Sequence, residues 1–164
     1  MSTLLLKNIR HLVTCDQQDR ILENSSLWIR DGVIEAIGEE HPADQVLDCR
    51  GMAVYPGLIN THHHLYQILT RNLPQVQKLE LFDWLTALYD IWARLTEQGV
   101  YHSSLAGMGE LAKYGCTTVF DHHYVFPQKS EGFLAAQFQA ADDIGVRFTA
   151  SRGSMSLSRK DGGL

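Results

Sequence analysis

From residue 58 onward the sequence alternates between short β-rich runs and longer stretches of helical periodicity. This alternation limits the possible folds more than any other feature. Residues 58–64 read as a short strand. Leu81, Trp84, Leu85, Leu88, Trp92 and Leu95 recur at steps of three and four, which predicts a helix over residues 80–95. A second helix is predicted over residues 97–114, with Gly115 placed as its C-cap. Residues 116–125 read as a strand, 131–144 as a helix ended by Gly145, and 146–151 as the next strand. Strand, helix, strand, helix, strand at these spacings predicts a parallel α/β arrangement.

The first 55 residues have a different texture. Residues 4–13, 26–30, 33–37 and 47–55 read as strands, and Asp31-Gly32 between two of them is a hairpin signal. A small antiparallel sheet is expected there. The expected domains are therefore 1–55 and 56–164, separated by Pro56-Gly57. After Arg152 the pattern gives way to a polar, Gly-rich stretch running to Leu164.

The composition is that of an ordinary globular chain, with 45% hydrophobic and 20% charged residues. A net charge of -5 without a basic patch argues against nucleic acid and anionic membranes as partners. No apolar run approaches the roughly 20 residues needed to span a bilayer, and the apolar run within Met1 to Lys7 is too short for a signal peptide. A cytoplasmic location is expected. Cys15, Cys49 and Cys116 are odd in number and far apart, so buried free thiols are expected.

Histidine stands out. Five of the eight fall in two clusters, His62-His63-His64 and His122-His123. On a strand, side chains alternate faces, so His62 and His64 point the same way and His63 the other. Two imidazoles so placed can reach one metal ion at about 2.0–2.1 Å. Alternation likewise puts Asp121 and His123 on one face of the next strand and His122 on the other. His11, His41 and His102 belong to no cluster.

Asp31-Gly32, Asp48-Cys49-Arg50-Gly51 and Pro56-Gly57-Leu58-Ile59-Asn60-Thr61-His62-His63-His64 together resemble the amidohydrolase superfamily. Six further segments resemble its 8-oxoguanine deaminase branch: Leu65-Tyr66-Gln67, Leu81-Phe82-Asp83-Trp84-Leu85, Gly115-Cys116-Thr117-Thr118, Asp121-His122, Arg152 to Ser156 and Asp161 to Leu164. That branch is close to guanine and isoxanthopterin deaminases and to triazine amino- and chlorohydrolases.

The resemblance implies the N-terminal part of a (β/α)8 TIM-like barrel, preceded by part of a small β-sandwich. The barrel takes roughly 250 residues, so most of it is expected beyond this sequence. It implies one divalent metal ion, zinc or iron, with His62 and His64 as the first two ligands. The remaining ligands and the general acid-base residue are expected beyond Leu164, so no catalytic residue is assigned here. The implied activity is hydrolytic deamination of a purine-like heterocycle, 8-oxoguanine first, releasing ammonia. A triazine-type aminohydrolase or chlorohydrolase, or a non-catalytic fragment, are the alternatives. A homo-oligomer is expected of the full-length protein, since these are common in the superfamily.

Four residues are candidates for substrate binding. Gln67 offers both a donor and an acceptor to a purine-like edge, or is an ordinary loop residue. Trp84 can stack on a flat ring, or belongs to the core stripe of its helix. The resemblance favours His122 as a pocket residue, with a structural histidine as the alternative. Arg152 can hold a carbonyl oxygen or pair with a carboxylate.

Overall fold

The computed structural model describes residues 1–127 and 129–163; Gln128 and Leu164, the last residue of the expected polar stretch, lie outside the described residues. The chain is a mixed α/β protein and divides into two compact units, Met1–Pro56 and Gly57–Leu164.

The first unit is a five-stranded sheet of β1 (Thr3–Val13), β2 (Ile21–Arg30), β3 (Val33–Ile37), β4 (Gln45–Asp48) and β5 (Ala53–Val54). β1 and β2 pair antiparallel, as do β2 and β3. The turn between β2 and β3 is the expected Asp31-Gly32, with φ of 47° and 81°. Positive φ at both central residues matches the right-handed twist of the flanking strands. The expected antiparallel sheet is in fact mixed. β4 and β5 both run parallel to β1, pairing with Leu4–Lys7 and with His11–Leu12 respectively. The chain crosses back after β3 before β4 begins, so its direction repeats that of β1. β2 also starts well before the expected residue 26. Pairing with β1 continues to Ile21 and carries the polar stretch Glu23-Asn24-Ser25 into the ladder. Ile9, Leu12, Leu27 and Cys49 form the core of this unit. Cys49 and Cys116 are buried as expected, whereas Cys15 is exposed.

The second unit is a parallel sheet in the order β6 (Leu58–Asn60), β7 (Cys116–His123), β8 (Arg147–Arg152). Its helices are α1 (Leu81–Trp92), α2 (Glu97–Lys113) and α3 (Phe133–Ile144). α2 is capped by Thr96, whose hydroxyl accepts from the Gly99 N–H at 3.0 Å, and α3 ends at Gly145. Met108 of α2 and Ala140 and Ala141 of α3 pack on Val119 of β7, with Leu65. Tyr66, Leu88, Trp92 and Val125 form a second apolar cluster. Among the described residues no helix is long and apolar enough to cross a membrane.

Several expected boundaries move: α1 stops at Trp92 short of residue 95, β7 at His123 short of 125, and α3 starts at Phe133 after the expected 131. β6 ends at Asn60, so Thr61 to His64 lie beyond the strand instead of ending it. The residues after His64, expected as loop, include two short 3₁₀ helices, Leu65–Thr70 and Pro74–Val76. β6 is an edge strand, and its Leu58 and Ile59 are exposed.

The Pro56-Gly57 junction has a steric reason. A Cβ at Gly57 would overlap the side chain of Thr117, near the start of β7 beside it. Gly57→Ala is therefore expected to lower stability by roughly 1–3 kcal/mol, the range for overpacking. Thr117→Ala removes Oγ1 and Cγ2, two of the crowding atoms, and is expected to recover part of that loss. Thermal denaturation of the two single variants and the double variant checks both statements. Additive losses in the double variant would place the strain elsewhere.

Candidate metal centre

β6, β7 and β8 run parallel, so their C-terminal ends lie together. The histidine clusters sit at those ends. The strand pairing of β6 stops at Asn60, yet the chain stays tied to β7 beyond it. The His122 N–H donates to the His63 carbonyl at 2.8 Å. The alternation expected of a strand therefore persists through the irregular residues. His62 and His64 face each other, with Nε2 to Nε2 at 3.2 Å and ring centroids at 4.9 Å. His63 turns away, and its Nδ1 is buried without a hydrogen-bond partner.

The tautomer of His64 is set by its neighbour. Its Nδ1 lies 2.7 Å from the carbonyl oxygen of His122. A carbonyl only accepts, so Nδ1 carries the proton and donates. In the neutral ring, Nε2 is then a free lone pair aimed at His62. Metal-bound histidines commonly use such a bond to fix ring orientation. The 3.2 Å separation also fits a metal centre. Two nitrogens bound tetrahedrally to zinc at about 2.0–2.1 Å lie about 3.3 Å apart. With no metal between them, the same spacing is an N–H···N hydrogen bond from His62 to His64. Among the described residues, no group of three His, Cys, Asp or Glu side chains could hold a metal ion. The donor set fits a divalent ion as two of its ligands.

Around the pair stands a shell of aromatic rings. His122 lies on the His64 side of β7, with ring centroids 5.7 Å apart. Tyr124 packs edge-on against His64 at 5.3 Å and beside His122 at 5.8 Å. Gln67 is half-buried, and its Nε2 makes long contacts of 3.4 and 3.5 Å to the hydroxyls of Tyr66 and Tyr124. Arg152 is exposed at the end of β8, its guanidinium 4.4 Å over the ring of Phe126. With Tyr124, Phe126, Ser154 and Met155 it lines a cavity of about 200 Å³. His62, His64, Gln67, His122 and Arg152 are thus gathered at one end of the sheet. Trp84 stands apart. Half-buried, it packs edge-on against Trp92 at 5.5 Å and lies against the apolar cluster of Leu88 and Val125.

The sequence pattern did not single out Tyr124. It lies two residues after His122, so continuing the strand alternation by one step would have found it. Tyr66 escaped as well; burial pushes its phenol far above the ordinary range, so it stays protonated.

The other face of β7 is buried under the helices. Asp121 and His123 lie there, both fully buried. His123 donates from Nε2 to the Val125 carbonyl at 2.9 Å and packs among Tyr66, Phe126 and Phe133. Burial holds its imidazole below the ordinary pKa, although the Val125 bond and the charge of Asp121 act in the opposite direction.

A model of the amidohydrolase family matches residues 53–163. The hydroxydechloroatrazine ethylaminohydrolase of Pseudomonas sp. (strain ADP) is 38% identical over 99% of this chain and 37% of its own length. The 8-oxoguanine deaminase of Pseudomonas aeruginosa is 38% identical over 100% of this chain and 37% of its own. Among solved structures, an atrazine chlorohydrolase from Arthrobacter aurescens TC1 complexed with zinc superposes with a TM-score of 0.89 at 32% identity. That match covers 98% of this chain and 38% of the chlorohydrolase. The chain spans a little over a third of each of these proteins.

The depressed pKa of His123 makes stability depend on pH. An unfolded histidine titrates near 6.5, and the folded one lower. Between the two values the unfolded chain binds more protons. Stability is therefore complete above about pH 6.5 and is lost as the pH falls toward the folded value. Replacing His123 by Gln removes this titration. The drop in denaturant midpoint between about pH 7.5 and about pH 5.5 is expected to be smaller in His123→Gln than in the parent. Equal drops would show that His123 is not a source of acid sensitivity.

Proposed function

Because this chain belongs to the amidohydrolase family, we propose that it carries the first metal ligands and part of the substrate wall of a hydrolytic deaminase acting on a purine-like heterocycle. The observation that carries this reading is the His62–His64 pair, with His64 Nδ1 committed to the His122 carbonyl. The similarity to an 8-oxoguanine deaminase over the full chain supports that substrate class. In this reading β6 to β8 are the first strands of a (β/α)8 barrel, and residues 1–55 contribute strands to a β-sandwich. Both are completed by residues outside this sequence. The metal-bearing solved relative, which superposes over nearly the whole chain, supports it.

His62 and His64 would hold the metal, zinc or iron. When bound, a divalent metal supplies a water of lowered pKa, which is hydroxide near neutral pH. A catalytic zinc takes at least three protein ligands, so further ligands and the acid-base group join from elsewhere. This chain's own residues perform the binding and orientation. His122 presents its carbonyl to His64 and its ring to the same side. Gln67 can turn its amide from the tyrosine hydroxyls to a heterocycle edge, since the bonds it breaks are long. Arg152, exposed at the β8 end, reaches a carbonyl oxygen of the substrate. Tyr124 offers a flat wall beside His64, and Trp84 backs that wall indirectly through Trp92 and Tyr66.

A triazine substrate is the second reading, favoured by the equal similarity to the hydroxydechloroatrazine ethylaminohydrolase. Reading the coding sequence beyond Leu164 and assaying the product of the whole frame separates the two. Ammonia from 8-oxoguanine supports the first, and amine or chloride release from a triazine the second. A stop codon directly after Leu164 would remove the claim that this polypeptide is itself an enzyme.

Zinc affinity tests the centre directly. His62→Ala and His64→Ala are each expected to weaken zinc binding by more than about tenfold, since losing a ligand costs at least as much as losing its outer partner. His63→Ala is expected to leave it unchanged, because that ring faces away. Competition with a chromophoric chelator near neutral pH reads all three. Equal binding by the His64→Ala variant would overturn the assignment.

A further inference from the structure

One buried group takes no part in the chemistry proposed for the histidine pair. Asp121 is fully buried on the helix-covered face of β7. Its Oδ1 accepts from the Leu65 N–H at 2.6 Å, and its Oδ2 accepts from Gln137 Nε2 at 2.7 Å. Leu65 directly follows His64 and opens the 3₁₀ helix Leu65–Thr70, whose start has no side-chain cap of its own. Gln137 lies on α3 and is fully buried too. A carboxyl is an unusual group to place among apolar helices, and burial is tolerated when its oxygens find donors. Here one of the two donors is the backbone next to a proposed metal ligand.

We propose that Asp121, braced by Gln137, is a positioning residue for His64. The segment carrying His64 is held to β7 at three successive points. The His63 carbonyl accepts from the His122 N–H, the His64 ring donates to the His122 carbonyl, and the Leu65 N–H donates to Asp121. The first and second are made by the backbone of His122. The third is the only one of these three made by a β7 side chain. It fixes where the chain leaves the histidine cluster. Without it, the Leu65 amide swings freely, and the His64 ring loses its fixed distance to the His122 carbonyl. Asp121 touches neither metal nor substrate, and acts through the backbone.

The neighbouring amide makes the proposal testable by substitution. Gln137 Oε1 is buried without a partner. In Asp121→Asn the Gln137 amide can rotate by half a turn and offer that oxygen to the new Nδ2. Both hydrogen bonds are then kept without a charge. Asp121→Leu keeps the bulk and loses both bonds.

Two readouts apply to the whole chain. One is zinc affinity by chelator competition, which rests on the proposed metal centre. The other is the His64 Nδ1 proton in the metal-free protein, seen as a slowly exchanging low-field NMR signal and assigned by its loss in His64→Gln. Asp121→Leu is expected to lose about tenfold or more in zinc affinity, the range for removing an outer partner, together with the ring proton signal. Asp121→Asn is expected to stay within about threefold of the parent and to keep the signal. Val100→Ala, a truncation in the separate core cluster of Phe133 and Ala136, is expected to lower stability while leaving both readouts unchanged.

Parent-like affinity and ring signal in Asp121→Leu would overturn the proposal. So would an equal loss in Val100→Ala, which would show a general effect of core damage. If Asp121→Leu does not fold, Gln137→Leu decides. It is expected to weaken zinc binding several-fold and to speed exchange of the ring proton, and no change would overturn the proposal. Should the parent show no zinc binding that depends on His64, the metal reading fails, and the ring signal alone still decides the role of Asp121.

Discussion

The three hydrogen bonds between His63–Leu65 and residues 121–122 are the constraint on which the rest of the site depends. β6 contributes only three residues to the sheet, too few to orient anything beyond its own end. Residues 61–65 would be an ordinary loop if β7 did not continue the pairing with main chain and side chain. The bonds are short, at 2.6 to 2.8 Å, and the one at Leu65 is buried. A loop held in this way behaves as an extension of the strand. That is why residues of irregular backbone still alternate, and why two imidazoles two residues apart meet at a metal-compatible distance.

β7 is the central strand of its sheet and serves both faces. Toward the helices it presents Val119, Asp121 and His123, all buried. Toward the other face it presents His122, and beyond its end Tyr124. The helix-facing side is unusually polar for a core. Ser104 Oγ, His123 Nδ1 and Gln137 Oε1 are buried with no partner, and His63 Nδ1 joins them. Such groups are costly inside a protein unless they serve something or meet a water.

Much of this was legible in one sequence. The strand and helix order of the second unit comes from hydrophobic periodicity, because a 3.6-residue repeat and a β-rich run leave different traces. The Asp31-Gly32 turn was legible because few residue pairs accept positive φ twice. The meeting of His62 and His64 was legible because alternation depends only on extended backbone, even though the paired strand proved shorter than expected. Gln137 left no trace. It sits in an apolar helix where nothing local marks it as the partner of a residue sixteen positions earlier.

By itself, then, the sequence determined the alternating α/β order, the two textures on either side of Pro56-Gly57, and which imidazoles share a face. These depend on local backbone geometry, which a run of residues carries with it. Only the tertiary structure decided the parallel return of β4 and β5 to β1, the tautomer of His64, the packing of Trp84 against the cluster that holds Val125 and the bracing of Leu65 by Asp121. Each of those needs a partner distant in the chain. The free energy of a hydrogen bond or a packed ring belongs to the pair, and no single segment encodes it.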